Sequence, residues 1–248
     1  MDLRYIPFTF PGLDSVGCAF GARASGINSP FGGGNISLDV GDDPQAVLAV
    51  RHAMQGVLGC GTWQELRQVH GEQILFDPEP GDIDQPGTVE ADGLATATPG
   101  QALVIKTADC QPILLAHESG RYVAALHTGW RGNVLQFPTT AVQAFCEEYD
   151  LDPAELLAVR GPSLSPAASE FKNFENEFGD YYRDYHDPAT NTVDLWRLTR
   201  DQLVNAGLRP DRIHGLDLCT LSLPELFFSY RRQQICGRQA SIIWIKKE

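Results

Sequence analysis

The stretch KTADCQPILLAHESGRYVAALHTGWRG, residues 106–132, decides the fold. Inside it, two apolar runs at 113–116 and 122–126 flank the polar turn HESG, a pattern that predicts a β-hairpin. Cys110 precedes the first predicted strand and His127 follows the second. Because the second antiparallel strand returns to the end at which the first began, we expect Cys110 and His127 at the same end of a sheet.

Outward from the hairpin, predicted helices are mixed with short strands. The clearest helix spans 44–58: an acidic N-cap at 42–43 precedes Pro44, and Gly59 ends the helix. Further helices are predicted over 139–149, 175–185 and 195–206, and further strands over 73–76, 102–106, 156–160, 213–218 and 240–245. Consecutive antiparallel strands mixed with helices favour an α+β fold over a doubly wound parallel sheet.

The domain organisation is predicted to be simple. No internal repeat, low-complexity tract or polar linker divides the sequence of 248 residues. The loosest stretch, DPEPGDIDQPGTVE at 77–90, is interpreted as a surface loop between two structured segments. We therefore expect a single domain over residues 1–248, a length that one folded unit can have.

Charge and hydropathy exclude two classes of partner. The net charge of −13 argues against nucleic acid, whose binding proteins carry a basic patch or stripe. No apolar stretch reaches the length of about 18 residues that a transmembrane helix needs, so no membrane partner is expected. Pro7 and Pro11 break the apolar amino-terminal run, which argues against a secretory signal and predicts a cytoplasmic protein.

The cysteines indicate a reducing environment. Six cysteines are scattered along the chain without a CxxC pair, which is not the pattern of a disulfide framework. Most are expected to be buried as small hydrophobic residues. Cys146 is an example, because it shares one predicted helix face with Val142, Phe145 and Tyr149.

Three residues are candidate metal ligands: His70, Cys110 and His127. Each lies at the end of a predicted strand beside glycine or proline. One thiolate and two imidazoles suit zinc, with bonds of about 2.0–2.3 Å, and leave a fourth position open as in catalytic zinc sites. The hairpin brings Cys110 and His127 together but gives no reason for His70 to join them. A histidine held only by hydrogen bonds remains the alternative, since intervals of 40 and 17 residues match no local zinc motif.

Several short motifs resemble, in the same order, those of the laccase-domain family, first labelled multicopper polyphenol oxidase and now described as purine nucleoside phosphorylase. They are QVHG (68–71), ADGL (91–94), TADC (107–110), HTGWRG (127–132) and RGPS (160–163). The stretch at 35–44 is similar to the family's opening and the one at 228–239 to its ending. The resemblance therefore covers nearly the whole chain.

The resemblance implies both a structure and an activity. It implies a zinc site at His70, Cys110 and His127 and a four-layer α/β/β/α sandwich, similar to toxin deamidases that have a Cys–His site. It also implies phosphorolysis of adenosine, inosine, guanosine and methylthioadenosine, together with adenosine deamination. Copper is disfavoured because the six histidines are scattered without an HxH pair. The expected partners are a nucleoside and phosphate, and the protein is expected to be a monomer or a homodimer.

Four further residues are candidates for substrate binding and proton transfer. Arg131 is a candidate phosphate clamp because its planar guanidinium matches two oxygens, although it could instead brace Asp109 or a backbone carbonyl. Asp109 and Glu170 are candidate orienters of the histidines or acid–base groups. Asn35 follows a flexible glycine stretch and could bind the sugar or the base.

The sequence departs from the family pattern at three positions. Lys106 stands where a small or apolar residue is usual, Gln111 replaces an aliphatic residue, and Ser169 stands where a tyrosine is usual. Lys106 and Gln111, placed beside a metal site, could alter the choice of substrate.

Two other classes of function remain open. Cys110 and His127 alone would form the nucleophile–base pair of a metal-independent hydrolase or amidase. Alternatively, the zinc could stabilise a binding protein without catalysis. A classical zinc nucleoside deaminase is disfavoured, because its HxE and PCxxC signature is missing from the sequence.

Overall fold

Two β-sheets with helices packed against them make up the protein in a computed structural model, which describes residues 3–24 and 29–247. The α-helices in these ranges are α1 (Pro44–Leu58), α2 (Trp130–Val134), α3 (Phe137–Tyr149), α4 (Phe174–Glu177) and α5 (Leu195–Asn205). Short 3₁₀ segments lie at Pro153–Glu155, Pro166–Ala168, Asp180–Tyr185 and Pro210–Arg212.

The strands are β1 (Arg4–Phe8), β2 (Val16–Ala22), β3 (Thr62–Glu65), β4 (Ile74–Phe76), β5 (Gly93–Thr96), β6 (Gln101–Thr107), β7 (Gln111–His117), β8 (Val123–Thr128), β9 (Leu156–Arg160), β10 (His186–Asp187), β11 (Thr192–Val193), β12 (Ile213–Gly215) and β13 (Gln239–Ile245). The five-stranded sheet has the order β1-β2-β13-β6-β3, and the six-stranded sheet has the order β12-β9-β7-β8-β5-β4. Strands β10 and β11 form a small separate ribbon. Most pairs are antiparallel, so the predicted α+β fold is confirmed.

The predicted hairpin is confirmed as β7 and β8. The two strands pair antiparallel from Gln111↔Thr128 to Ala116↔Val123. Their turn contains Gly120 at φ 70°, where an added side chain would collide with the Ser15 hydroxyl. Glycine is therefore required there for both its conformation and its size.

The largest apolar cluster lies between the two sheets. Phe20 and Ile105 from the five-stranded sheet pack with Leu114 and Val159 from the six-stranded sheet. Because successive strand residues point to opposite faces, the alternate positions of both sheets face the helices instead. Full burial of each such side chain contributes about 1.5–3 kcal/mol, so this inter-sheet contact is a main source of stability.

Two further clusters cover the outer faces of the sheets. On the six-stranded sheet, Ile113 and Leu115 pack with Phe145 of α3 and Leu203 of α5. Cys146 is buried in the same cluster, as predicted. On the five-stranded sheet, residues of β6 and β13 pack with α1.

Three of the four predicted helices are confirmed. In α1 the Asp43 side chain accepts a hydrogen bond from the Gln45 backbone N–H at 3.0 Å, and Gly59 ends the helix at φ 68°. Helices α3 and α5 lie within the predicted ranges to within two residues. The single helix predicted over 175–185 is wrong, because Gly179 at φ 75° separates the short helix α4 from a 3₁₀ segment. The phenylalanines of this region pack into a local aromatic cluster instead.

Within the described ranges, none of the helices is both long enough and apolar enough to cross a membrane. All six cysteines are free thiols.

Candidate metal centre

His70, Cys110 and His127 meet in the folded chain. One ligand atom of each lies within 4.8 Å of the other two, and Cys110 Sγ is 3.8 Å from His70 Nε2. His127 is buried, Cys110 is half-buried and His70 is exposed. This cluster could hold a metal ion with one side open to solvent.

Cys110 and His127 reach this position through the hairpin, as predicted. His127 pairs with Pro112 across the strands, and Cys110 immediately precedes β7. The approach is close at Gly129, where an added Cβ would lie 3.0 Å from both Cys110 Sγ and His70 Cδ2. A residue with a side chain would therefore push the metal-capable atoms apart.

The loop that carries His70 is fixed to the five-stranded sheet by Gln68. Its side-chain amide donates to the Lys106 carbonyl and accepts from the Lys106 N–H, each at 2.8 Å. His70 itself has φ 60°, a left-handed conformation that few residues other than glycine adopt. This two-bond attachment and the backbone bend direct the loop toward the cleft, and local sequence spacing predicts neither of them.

Asp92 links the two histidines. Its carboxylate accepts backbone N–H bonds from Val69, His70 and Gly71 at 3.2, 3.0 and 2.6 Å. It also lies 2.7 Å from His127 Nδ1. Because the Asp92 carboxylate accepts from Nδ1–H, Nε2 is the nitrogen of His127 that would bind a metal, with loss of its proton. Asp92 is the functional residue that the sequence analysis missed, although it lies within the ADGL motif.

The electrostatics of the site favour the thiolate of Cys110. Burial would raise its pKa, but the charge and hydrogen bond of His127, with a hydrogen bond from His70, lower the pKa to about 6. Burial likewise opposes the charge of His127, yet Cys110 and Asp92 raise its pKa to about 9. The pKa of Asp92 is lowered because its hydrogen bonds and the charge of His127 outweigh burial. A thiolate is the form of cysteine that binds metals and attacks substrates.

A cleft of about 1190 Å³ opens over the three residues. Its walls include the aromatic side chains of Trp130, Phe171 and Tyr230. They also include cationic side chains, namely Arg67, Lys106, Arg131, Arg231 and Arg238. The cleft can therefore accept a planar apolar group together with an anion.

Arg131 is the least constrained of the cleft arginines. Its guanidinium carbon lies 4.3 Å from the centre of the Trp130 ring. By contrast, Arg231 donates to two backbone carbonyls, as does Arg238, and Arg67 pairs with Glu90. Among the described arginines of the cleft, only Arg131 has a guanidinium with neither a hydrogen bond nor an ion pair to the protein, so its planar fork is available for an anion.

Asp109 also lines the cleft, but its carboxylate is engaged away from the histidines. It accepts from Thr220 Oγ1 and from the Arg231 backbone N–H, each at 2.7 Å. The carboxylate in contact with His127 is Asp92 instead.

Asn35 and Glu170 lie outside the cleft lining in the described structure. Asn35 is buried, and its amide makes four hydrogen bonds, to Ser37, Asp42 and the Arg238 N–H. These bonds fill its capacity, so a direct contact with the sugar or base is not what this geometry supports. Glu170 is exposed, and its backbone carbonyl accepts from the Arg231 guanidinium at 2.9 Å.

The three residues that depart from the family pattern all form polar contacts within the protein. Lys106 Nζ lies 3.0 Å from the buried carboxylate of Glu65, which also binds Arg51 at 2.9 Å. Gln111 donates from its amide to Asn133 and Thr199. The Ser169 hydroxyl donates to the Ser165 carbonyl at 3.0 Å.

The comparison with known proteins identifies the family to which this chain belongs. The chain belongs to the family whose model is described as multi-copper polyphenol oxidoreductase laccase, which matches residues 17–246. The family resemblance predicted from the motifs is thereby confirmed.

The names of its relatives are more specific than the description of the family. A purine nucleoside phosphorylase of Pseudomonas aeruginosa is 33% identical over 234 residues, covering 90% of this chain and 91% of that protein. The purine nucleoside phosphorylase YfiH of Escherichia coli is 31% identical over 249 residues, covering 95% and 96%. Among solved structures, YlmD of Geobacillus stearothermophilus has a TM-score of 0.86 at 26% identity, with 96% and 94% covered.

Proposed function

We propose that this chain is a zinc-dependent purine nucleoside phosphorylase. Its proposed substrates are adenosine, inosine, guanosine and methylthioadenosine, with adenosine deamination as a second activity. The observation that carries the proposal is the convergence of His70, Cys110 and His127 at the base of a cleft with cationic and aromatic walls. The phosphorylase names of relatives along nearly the whole chain support the same reading.

The donor set fits zinc. A thiolate and two imidazoles are ordinary zinc ligands, and three protein ligands leave a position for water or substrate. Although the family description names copper, none of the other described histidines lines the cleft, which favours zinc over a multi-copper centre. When bound, zinc would supply a positive charge that polarises an oxygen and lowers the pKa of bound water.

The chain's own residues would orient the reactants. Asp92 holds the His127 ring by Nδ1, and the Arg131 fork would bind two phosphate oxygens beside the sugar. We retain Asp109 as the proposed acid–base carboxylate because it lines the cleft. Asn35 and Glu170 would act through the cleft arginines that they hold, since Asn35 accepts from Arg238 and Glu170 from Arg231.

Several expectations about the whole protein belong to the same proposal. The three apolar clusters support a four-layer α/β/β/α sandwich, and we propose a single domain over 1–248. We also keep the likeness to toxin deamidases, the cytoplasmic location and a monomeric or homodimeric state as proposals.

One experiment tests the activity. Metal-quantified protein is incubated with the four nucleosides with and without phosphate, and the products are separated. Ribose 1-phosphate, or its methylthio analogue, formed only when phosphate is present supports phosphorolysis. Free base formed equally without phosphate contradicts phosphorolysis, and inosine formed from adenosine reports deamination.

A metal-independent cysteine hydrolase is the second candidate. It is favoured by the sequence of contacts Cys110–His127–Asp92, which has the order of nucleophile, base and orienting carboxylate. Chelation separates the two candidates, because a cysteine hydrolase keeps its turnover after metal removal. A protein that loses thermal stability on chelation and turns over no nucleoside would instead be a zinc-stabilised binding protein.

A further inference from the structure

The far end of the hairpin carries a second cluster of reactive groups. His117 is the last residue of β7, and its Nδ1 lies 2.8 Å from the Ser119 hydroxyl. Its Nε2 lies 2.9 Å from Glu155 Oε2. A serine, a histidine and a carboxylate are therefore joined through the two nitrogens of one ring, at the opposite end of the strands from Cys110.

The surrounding hydrogen bonds fix the direction of each proton. An ionised Glu155 can only accept, so His117 Nε2 carries the hydrogen in the neutral ring. Nδ1 is then the acceptor, and the Ser119 backbone N–H also points to it at 3.2 Å. The Ser119 oxygen accepts from the Arg121 N–H at 3.3 Å, which leaves its own hydrogen to donate to His117. This is the proton arrangement of a serine nucleophile with its base.

Backbone pairing holds together the two segments that carry these three side chains. His117 pairs with Leu156 across β7 and β9, and the Glu118 N–H donates to the Glu155 carbonyl at 3.0 Å. His117 is only 8% exposed, whereas Ser119 is exposed. The base is thus fixed by packing while the hydroxyl remains accessible to a substrate.

A cavity of about 630 Å³ adjoins this cluster, within the range of about 300–1,000 Å³ usual for small-molecule sites. One part of its wall is apolar, with Leu13 and Leu157. Another part carries Arg212, whose Nη1 lies 2.6 Å from Glu118 Oε2, and His214. The His214 Nε2 atom is buried and has no hydrogen-bond partner among the described residues. The cavity wall therefore carries the Arg212 guanidinium, which is already paired with Glu118, and the carboxylates of Glu155 and Asp211.

We propose that Ser119, His117 and Glu155 form a second, metal-independent site that hydrolyses small carboxylic esters. The acyl group would lie in the cavity that Ser119 and His117 line. This proposal does not rest on the phosphorylase activity, because the two sites lie at opposite ends of β7 and β8.

The reaction proceeds in two balanced steps. Ser119 Oγ attacks the ester carbonyl carbon, its proton moves to His117 Nδ1, and the C–O bond to the alcohol breaks as His117 returns that proton to the leaving oxygen. Water then attacks the acyl-serine and gives a proton to His117. The acyl–Ser119 bond breaks, the carboxylic acid leaves, and His117 restores the proton to Ser119. Glu155 orients the ring and balances its transient charge throughout.

The test uses p-nitrophenyl acetate with the full chain in the Cys110→Ala background, so that the Cys110 thiol contributes nothing. Adding Ser119→Ala is expected to lower hydrolysis by about 100-fold or more, and adding Glu155→Gln by about 10-fold. Ser222→Ala, at an exposed serine outside both sites, is the matched control.

Labelling provides a second readout that does not depend on a folded variant. Wild-type protein is treated with a fluorophosphonate, which phosphonylates activated serines, and is digested for mass spectrometry. Label on the peptide that contains Ser119 supports the site. Hydrolysis that is unchanged by Ser119→Ala, or a peptide without label, overturns it.

Discussion

The two ends of the β7–β8 hairpin differ in how their polar groups are assembled. At the turn end, Ser119 lies two residues from His117, and Glu155 comes from the neighbouring strand connection. At the open end, Cys110 and His127 are joined by His70, which reaches them only through Asp92 and the Gln68 attachment. The turn end therefore takes one partner of His117 from its own turn and one from a distant segment, whereas the open end takes both His70 and Asp92 from distant segments. Substitutions at the long-range contacts should affect the metal centre and leave the hairpin intact.

The largest effect is expected from Cys110→Ala. It removes one of the three donors, so bound zinc and phosphorolysis should both fall by at least about 1,000-fold, the loss expected when a metal ligand is removed from a catalytic site. Zinc per chain by mass spectrometry and ribose 1-phosphate formation measure it. Cys146→Ala is the control, since this thiol is buried in the outer cluster. Undiminished phosphorolysis in Cys110→Ala would contradict the proposed mechanism.

Asp92→Asn tests the link between the histidines. The amide keeps the shape of the carboxylate but loses the charge that holds the His127 Nδ1–H and three backbone N–H groups. Zinc affinity is expected to fall by about 10–100-fold, the usual cost of altering a residue behind a metal ligand. Competition with a chromophoric chelator measures it. Glu90→Gln, in an exposed ion pair, should leave the affinity unchanged, and equal affinities for both variants would contradict the role of Asp92.

Gly129→Ala tests the close approach of the ligands. The added Cβ would be 3.0 Å from Cys110 Sγ and His70 Cδ2, so the donors must separate. We expect about a 10-fold loss of zinc affinity, which corresponds to the lower part of the range of about 1–3 kcal/mol for overpacking. Gly132→Ala is the matched control, because its Cβ would meet Thr128 Cγ2 at an ordinary 3.5 Å. If both variants bind zinc like the wild type, Gly129 is not required by the site.

The smallest effect on turnover is expected from Glu65→Gln, which acts on stability instead. Burial opposes the charge of Glu65, but Lys106 and Arg51 outweigh it and lower its pKa. Because the pKa of Glu65 is lower in the folded state than the ordinary value of about 4.3, its charge stabilises the protein at pH values above about 4.3. This stability is lost as the pH falls through the folded pKa. The substitution should cost about 1.5–3 kcal/mol at pH 7 and less in acid. Urea unfolding at pH 7 and about pH 3, below the ordinary pKa of a glutamate, measures it, with the exposed Glu175→Gln as the control.

The parts of the fold that follow from local pattern were predictable. The hairpin, α1, α3 and α5 each have clear periodicity or end signals, and all were confirmed. Strand β2, VGCAFGA, was not predicted because its small residues are buried on both faces and give no alternation. Strand β1 was hidden by Pro7, which an edge strand tolerates. The break at Gly179 was missed because glycine also occurs inside helices.

The residues of the site likewise divide into those that the sequence predicts and those that it does not. Cys110 and His127 were predictable from the hairpin because antiparallel pairing fixes their common end. His70 required the family resemblance, since its loop is positioned by side chain–backbone hydrogen bonds across 38 residues to Lys106. Asp92 was missed because nothing in its motif indicates a contact with His127, 35 residues away.

X-ray absorption at the zinc edge of the purified protein tests the central claim most directly. The proposed site predicts one zinc per chain with one sulfur at about 2.3 Å and two imidazole nitrogens at about 2.0–2.1 Å, plus one light atom. In Cys110→Ala the sulfur shell should disappear. A wild-type zinc shell without sulfur, or a protein purified in zinc-containing medium that holds no zinc, would contradict a zinc centre at His70, Cys110 and His127.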